Sequence, residues 1–172
     1  MSTLVVDIAD CRVASSPSSE IVTYALGSCI AVMLVDPAAH VGGLLHFMLP
    51  DSSIDSRKAS DSPFMFADTG IPLLLRMVSR LNPDPKRLVA YLAGGSNMMD
   101  PDNFFSIGNR NIAAAHVLLR KAEVPIRSES VGGIVTRSVG LRLENGSVWL
   151  KQQRSSGPPA AQPAGVGRGP GA

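Results

Sequence analysis

With 172 residues, 45% of them hydrophobic, the chain suits one globular domain with a sizeable core and is short for two. Charged residues make up 17% and the formal net charge is +2, which excludes the broad basic field of a nucleic-acid binder. No apolar run reaches the ~20 residues that span a bilayer, and the opening Met1-Ser2-Thr3-Leu4 lacks the features of a secretion signal. A soluble, cytoplasmic protein is expected, with Cys11 and Cys29 reduced; a disulfide between them is the alternative.

Residues 4–8 are mostly apolar and predict a strand, and Ser15-Ser16-Pro17-Ser18-Ser19 an exposed loop. The next strand leads to a turn at Gly27-Ser28. Apolar runs at residues 29–35 and 41–48, joined through Asp36-Pro37-Ala38-Ala39-His40, predict a hairpin with His40 solvated in its turn. Residues 52–62 are polar and read as a surface loop. Ile71, Leu74, Leu75, Val78 and Leu81 recur at helical spacing behind Asp68-Thr69, which is expected to cap the helix with Pro72 in its first turn.

A strand at residues 87–93 runs into Gly94-Gly95-Ser96. Ile112, Ala115, Leu119 and Ala122 then mark a second helix behind Gly108-Asn109, with Arg120 and Lys121 suiting its C-terminal end. Residues 126–129, 138–143 and 147–151 predict closing strands, the last two joined by a tight type I′ turn at Asn145-Gly146. The reading is a mixed α/β domain over residues 1–152, with residues 153–172 a disordered tail of Gly, Pro, Ser and Ala.

The chemistry-bearing feature is a thiol just past the Gly27-Ser28 turn and an imidazole on the next apolar segment. A thiol attacks as thiolate, so a cysteine enzyme sets an imidazole beside it and a third polar group to hold the ring. Cys29, His46 and Thr23 suit those roles. Six positions separate Thr23 from Cys29 and 17 separate Cys29 from His46, which two adjacent strands and a turn can close up. The plain reading competes: Cys29 within Ser-Cys-Ile-Ala-Val-Met is also a typical buried cysteine, and His46 and Thr23 typical strand residues. His40, His46 and His116 show no metal-ligand spacing, and His116 reads as a packing residue on its helix. No metal or cofactor is expected.

The segment from Ile21 to Ile30 and His46-Phe47-Met48-Leu49-Pro50 resemble the signature of the CheD family, chemoreceptor glutamine deamidases. The resemblance runs over about residues 3–152 through Asp36-Pro37, Val41-Gly42-Gly43, Ala67-Asp68-Thr69, Ala93-Gly94-Gly95-Ser96-Asn97-Met98, Ile107-Gly108-Asn109-Arg110-Asn111 and Val131-Gly132-Gly133. It departs at Ser130, where relatives often carry an acidic residue before the glycine pair, and at Ile134, often polar. It implies a β-sandwich-like core flanked by helices, with Cys29 as nucleophile, His46 as catalytic histidine and Thr23 as its support. It also implies glutamines on the cytoplasmic helices of methyl-accepting chemotaxis receptors as substrate, and a CheC-type phosphatase as partner.

Under that resemblance Cys29 attacks the carboxamide, ammonia leaves, and water releases glutamate from a thioester, a route that would also admit glutamyl methyl esters. Gly27 is expected to permit an unusual backbone angle, and the Cys29 amide with a neighbour to meet the oxyanion. Ser28 either donates a hydrogen bond near the thiol or simply makes the turn. The rival readings are a non-catalytic adaptor that binds receptors or CheC, and a cysteine amidase acting on small amides.

Overall fold

The computed structural model describes residues 1–98 and 104–154. Among them the strands are β1 (Ser2–Val5), β2 (Asp10–Ser15), β3 (Ser19–Leu26), β4 (Ile30–Asp36), β5 (Val41–Phe47), β6 (Val89–Gly94), β7 (Ile126–Val131), β8 (Val135–Arg142) and β9 (Val148–Arg154). They form a four-stranded sheet in the order β1-β3-β8-β9 and a five-stranded sheet in the order β2-β5-β4-β6-β7. Neighbours are antiparallel except β1 with β3 and β6 with β7.

The unbroken apolar run of β4 is the key to the layering, because a strand buried on both faces needs no polar alternation. Ile30, Val32 and Leu34 point to one side, where they meet α2 (Ala67–Ser79) and α3 (Ile107–Lys121) through Ile71, Leu74 and Leu119. Ala31, Met33 and Val35 point to the other, against Ile21 and Leu26 of β3 and Val139 and Leu141 of β8. The result is three layers: the four-stranded sheet, the five-stranded sheet, and helices on the latter's outer face. The expected mixed α/β sandwich is present, its long helices confined to one face.

Several expectations change in detail. Sequence reading missed β2, in which Cys11 is the one fully buried side chain; it exists because its backbone pairs residue for residue with β5 from Val41 to His46. Residues 52–62 hold a 3-10 turn (Ser52–Ile54) and the short helix α1 (Ser56–Asp61), N-capped by the side chains of Asp51 and Asp55 respectively. Asp68 and Thr69 do not cap α2, which starts after Phe66. The Asp68 carboxylate instead accepts from the amide and hydroxyl of Ser52 at 2.9 and 2.7 Å, and Pro72 falls in the second turn.

Helix α3 begins at Ile107, before the expected Gly108-Asn109. The β8–β9 connection is not a type I′ turn: Gly146 has φ +71° but Asn145 is not left-handed. Leu143 carries the pairing with β3 one residue past β8, donating its amide to the Ser19 carbonyl with its side chain buried in the core. β9 continues to Arg154, past the expected domain end; the remainder of the expected tail lies outside the described residues. No helix among the described residues is long and apolar enough to cross a membrane.

At the far end of β4, Asp36 is fully buried and receives Nε and Nη2 of Arg87, each at 2.9 Å, with the amides of Ala38, Ala39 and Asp84. Burial alone would raise its pKa, but the Arg87 fork and the amides of Asp84 and Ala39 outweigh it and hold the carboxyl below the usual range. Asp36→Ala removes the acceptor for this whole cluster. It is expected to lower the urea midpoint by on the order of 1 M, followed by circular dichroism.

Candidate active site

Thr23 on β3 and His46 on β5 come from different sheets and meet in the layer between them, each about 1% exposed. Thr23 Oγ1 lies 2.8 Å from His46 Nδ1 and 2.8 Å from the Val6 carbonyl oxygen. A carbonyl only accepts, so the single hydroxyl proton goes to Val6, and the ring must donate its Nδ1 proton to Thr23. That fixes the tautomer and leaves Nε2 with the lone pair. Nε2 is buried and has no hydrogen-bond partner among the described residues. Burial lowers the His46 pKa to about 4, Asp7 partly opposing the shift, so the imidazole is neutral at neutral pH.

Cys29 immediately precedes β4. Ala31 pairs directly with His46, so Cys29, two residues back, falls on the same inter-sheet face as the imidazole, diagonal to it. The thiol is half-buried against that core. No hydrogen bond joins it to Nε2. Burial raises its pKa above 9.0, and its own amide opposes this only in part. The resting pair is therefore thiol and neutral imidazole, not thiolate and imidazolium. The second cysteine, Cys11, is buried with its thiol pushed up to about 12, and both are free.

The segment carrying Cys29 is held by main-chain contacts. Gly95 donates its amide to the Cys29 carbonyl and Ser96 to the Gly27 carbonyl, each at 2.8 Å. Gly94 has φ +113°, and a Cβ there would stand 2.1 Å from the Cys29 oxygen. Asn111 on α3, fully buried, donates through Nδ2 to the carbonyls of Ser28 at 2.9 Å and Met48 at 2.8 Å. Gly27, expected to permit an unusual backbone angle, does not have a positive φ, and a Cβ there would meet nothing within 4 Å. The irregular backbone is at Ala25 (φ +54°), inside a bulge of β3 between Thr23 and Leu26, which turns the chain before Gly27 is reached.

The segment of Ser130 and Ile134 packs onto the same glycine pair. Gly132 donates its amide to Gly94 and Asn97 to Gly133. Arg137, 5% exposed, donates Nε to Ser130 Oγ at 3.0 Å and Nη1 to the Gly94 carbonyl at 3.3 Å; the described residues offer it no carboxylate. Ser130 thus serves as a neutral acceptor, while Ile134 is 66% exposed.

The other histidines lie elsewhere and differ from expectation. His40 is half-buried and donates Nδ1 to the Leu143 carbonyl, and His116 contacts the Glu129 carboxylate through Nε2 at 2.7 Å, tying α3 to β7. Among the described residues no group of His, Cys, Asp and Glu is placed to hold a metal.

Sequence reading missed Asn111 and Arg137. For Asn111 a signal existed: Gly108, Asn111, Ala115 and Leu119 share the buried stripe of α3, and a carboxamide in such a stripe needs partners. Arg137 carried none, since its burial depends on two sheets meeting.

The model of the family described as CheD chemotactic sensory transduction matches residues 48–152. This chain belongs to the CheD family. It is 46% identical to the "Probable chemoreceptor glutamine deamidase CheD" of Solibacter usitatus, over 88% of this chain and 90% of that protein. Identity is also 46% to "Probable chemoreceptor glutamine deamidase CheD 1" of Syntrophus aciditrophicus, over 92% and 98% of the two chains. With "Probable chemoreceptor glutamine deamidase CheD 2" of Anaeromyxobacter dehalogenans it is 44%, over 88% and 95%. These matches reach across Thr23, Cys29 and His46, which lie before the part matched by the family model.

Two outcomes follow from this geometry. Because His46 takes up its proton near pH 4 when folded and near 6.5 when unfolded, the unfolded state binds more protons between those values. Stability is expected to fall as pH is lowered through that window, by up to about 3 kcal/mol from this group. Urea titrations at each pH should show a shallower fall for His46→Gln, whose side chain does not titrate. Gly94→Ala forces a Cβ into the Cys29 carbonyl at a positive φ and is expected to cost on the order of 2 kcal/mol or more, with slowed alkylation of the thiol.

Proposed function

We propose that this CheD-family protein hydrolyses glutamine side chains of chemoreceptors to glutamate and ammonia, with Cys29 as nucleophile, His46 as general base and acid, and Thr23 as the ring's support. The observation that carries the reading is the buried hydrogen bond between His46 Nδ1 and Thr23, which leaves an Nε2 lone pair without a partner among the described residues, on a ring whose strand position shares its face with Cys29. The names of the relatives agree with it.

The neutral resting pair defines the first step. As a carboxamide enters, Nε2 takes the Sγ proton while sulfur forms its bond to the side-chain carbonyl carbon, so no free thiolate precedes attack. The imidazolium so formed is stabilised through Nδ1 by Thr23, whose own proton stays on Val6, and by the charge of Asp7. The oxyanion is met by the Cys29 amide with a neighbour from Gly27 or Ser28; the carbonyls of these two residues are already engaged by Ser96 and Asn111.

The Nε2 proton then passes to the amide nitrogen, the C–N bond breaks and ammonia leaves a thioester on Cys29. Water attacks the thioester, giving its proton to Nε2. Glutamate departs as sulfur leaves and recovers the proton. Glutamyl methyl esters fit the same route with methanol as leaving group.

The substrate glutamines are read as lying on the cytoplasmic helices of methyl-accepting chemotaxis receptors, which places the reaction in the cytoplasm, and a CheC-type phosphatase is the expected regulatory partner. The adaptor reading predicts binding without turnover.

Incubation with a purified receptor cytoplasmic fragment decides between them, read by ammonia release and by peptide mass spectrometry for glutamine-to-glutamate conversion. Wild type is expected to convert, with Cys29→Ala reduced by about 10³-fold or more. Thr23→Val is expected to lose about 10- to 100-fold, the worth of a hydrogen bond to a charged ring. Equal conversion by wild type and Cys29→Ala overturns the assignment, and binding without conversion by either favours the adaptor.

A further inference from the structure

A carboxamide on the buried stripe of a helix is costly unless its donors are used, and Asn111 uses both of its Nδ2 hydrogens on main-chain oxygens. The assignment of nitrogen and oxygen in the amide is forced, since two carbonyls can only be met by the NH2 end. Its Oδ1 is left buried without a hydrogen-bond partner among the described residues. The side chain is thus placed for its two donors at the expense of its acceptor.

What the donors hold is specific. The ladder between β4 and β5 ends at Ile30 paired with Phe47. One residue beyond, where β4–β5 main-chain pairing has stopped, Cys29 stands across from Met48; Gly95 holds the first and Met65 the second, but no main-chain bond joins the two. Asn111 bridges them at that point, taking Ser28 O on the nucleophile's side and Met48 O on the imidazole's side. It replaces the missing rung with a side chain. Gly108, one turn earlier on α3, makes the reach possible: a Cβ there would stand 2.5 Å from the Gly95 oxygen, so only glycine lets the helix lie this close. Gly95 in turn donates to the Cys29 carbonyl, so the segment is gripped at residues 28 and 29 from the α3 side.

We infer that Asn111 is a positioning residue for the reaction, setting the spacing of Cys29 from His46 by clamping the carbonyls of Ser28 and Met48. The inference rests on the reading of Cys29 and His46 as the reacting pair. Asn111 touches neither thiol nor imidazole and acts only through the backbone that carries them. An aspartate in its place would keep the shape and lose both donors, setting carboxylate oxygens against carbonyl oxygens.

The test is a double-mutant cycle of Asn111→Ala with His46→Ala. It is read by kcat and KM on the receptor fragment and by the rate of Cys29 alkylation with iodoacetamide at neutral pH, scored by peptide mass spectrometry so that the buried Cys11 does not contribute. In folded protein Asn111→Ala is expected to lower kcat by about 10- to 100-fold with KM within about twofold, and to slow alkylation towards the His46→Ala rate. In the His46→Ala background the same substitution should cost no more than about twofold, because spacing to an absent imidazole no longer matters.

Asn111→Ser, which keeps one donor, covers the case in which Asn111→Ala does not fold, and its kcat should be intermediate. Equal losses in both backgrounds, or folded Asn111 variants within about twofold of wild type, overturn the inference. If His46→Ala itself leaves wild-type alkylation and turnover unchanged, the underlying pair fails, a result distinct from either.

Discussion

An imidazole buried between two sheets, with its Nδ1 proton committed to Thr23 and its Nε2 without a partner among the described residues, is the feature that the rest of the structure serves. Thr23 cannot turn away from it, because its own hydroxyl proton is committed to Val6. The order of donation, ring to hydroxyl to carbonyl, runs one way only, so the ring is held in one tautomer without a carboxylate behind it. Burial keeps the imidazole neutral at working pH, and the same burial keeps the thiol protonated. On the proposed route the site rests as two uncharged groups and separates charge only when a carbonyl is there to receive the sulfur. Asp7, whose charge favours the protonated ring, lies close enough to assist at that moment.

The three-layer architecture explains how such a site is built on ordinary strands. Thr23 comes from one sheet and His46 from the other, so their hydrogen bond is also a link between layers. Cys29 is placed where β4 has not yet entered the ladder, and its backbone is fixed from outside by Gly94, Gly95 and Ser96 after β6 and by Asn111 from α3. A strand end free of its own ladder but tethered on several sides presents its side chain precisely while remaining partly open to solvent. The glycines are required for contact rather than for flexibility: at Gly94 and Gly108 any Cβ would strike a main-chain oxygen.

Much of this was legible in the sequence. The continuous apolar runs of β4 and β5 announced buried strands, and the short connection between them, four residues in the structure, fits their antiparallel pairing. With Cys29 at the start of one strand and His46 near the end of the other, hairpin geometry alone put them on a common face. Less was legible where pairing, not pattern, creates structure. β2 has one buried side chain and exists because β5 offers it an edge. Asn145-Gly146 carries a strong type I′ preference, yet only Gly146 takes a positive φ. Gly27 suggested an unusual backbone angle, but the positive φ falls at Ala25, inside the bulge of β3.

The amino-acid order by itself determined the family and the strand-rich mixed fold and supplied the candidate thiol, imidazole and hydroxyl, since residue identity and strand periodicity are local properties. Only the tertiary structure decided that the ring is buried and neutral, that Nδ1 is committed to Thr23 while Nε2 has no hydrogen-bond partner among the described residues, and that Asn111 bonds the Ser28 carbonyl and Arg137 that of Gly94. Those facts depend on which sheet covers which. Desolvation and hydrogen-bond direction are set by neighbours far apart in the chain, Val6 with Thr23 and His46, Ser28 with Met48 and Asn111, and no local window of sequence contains them.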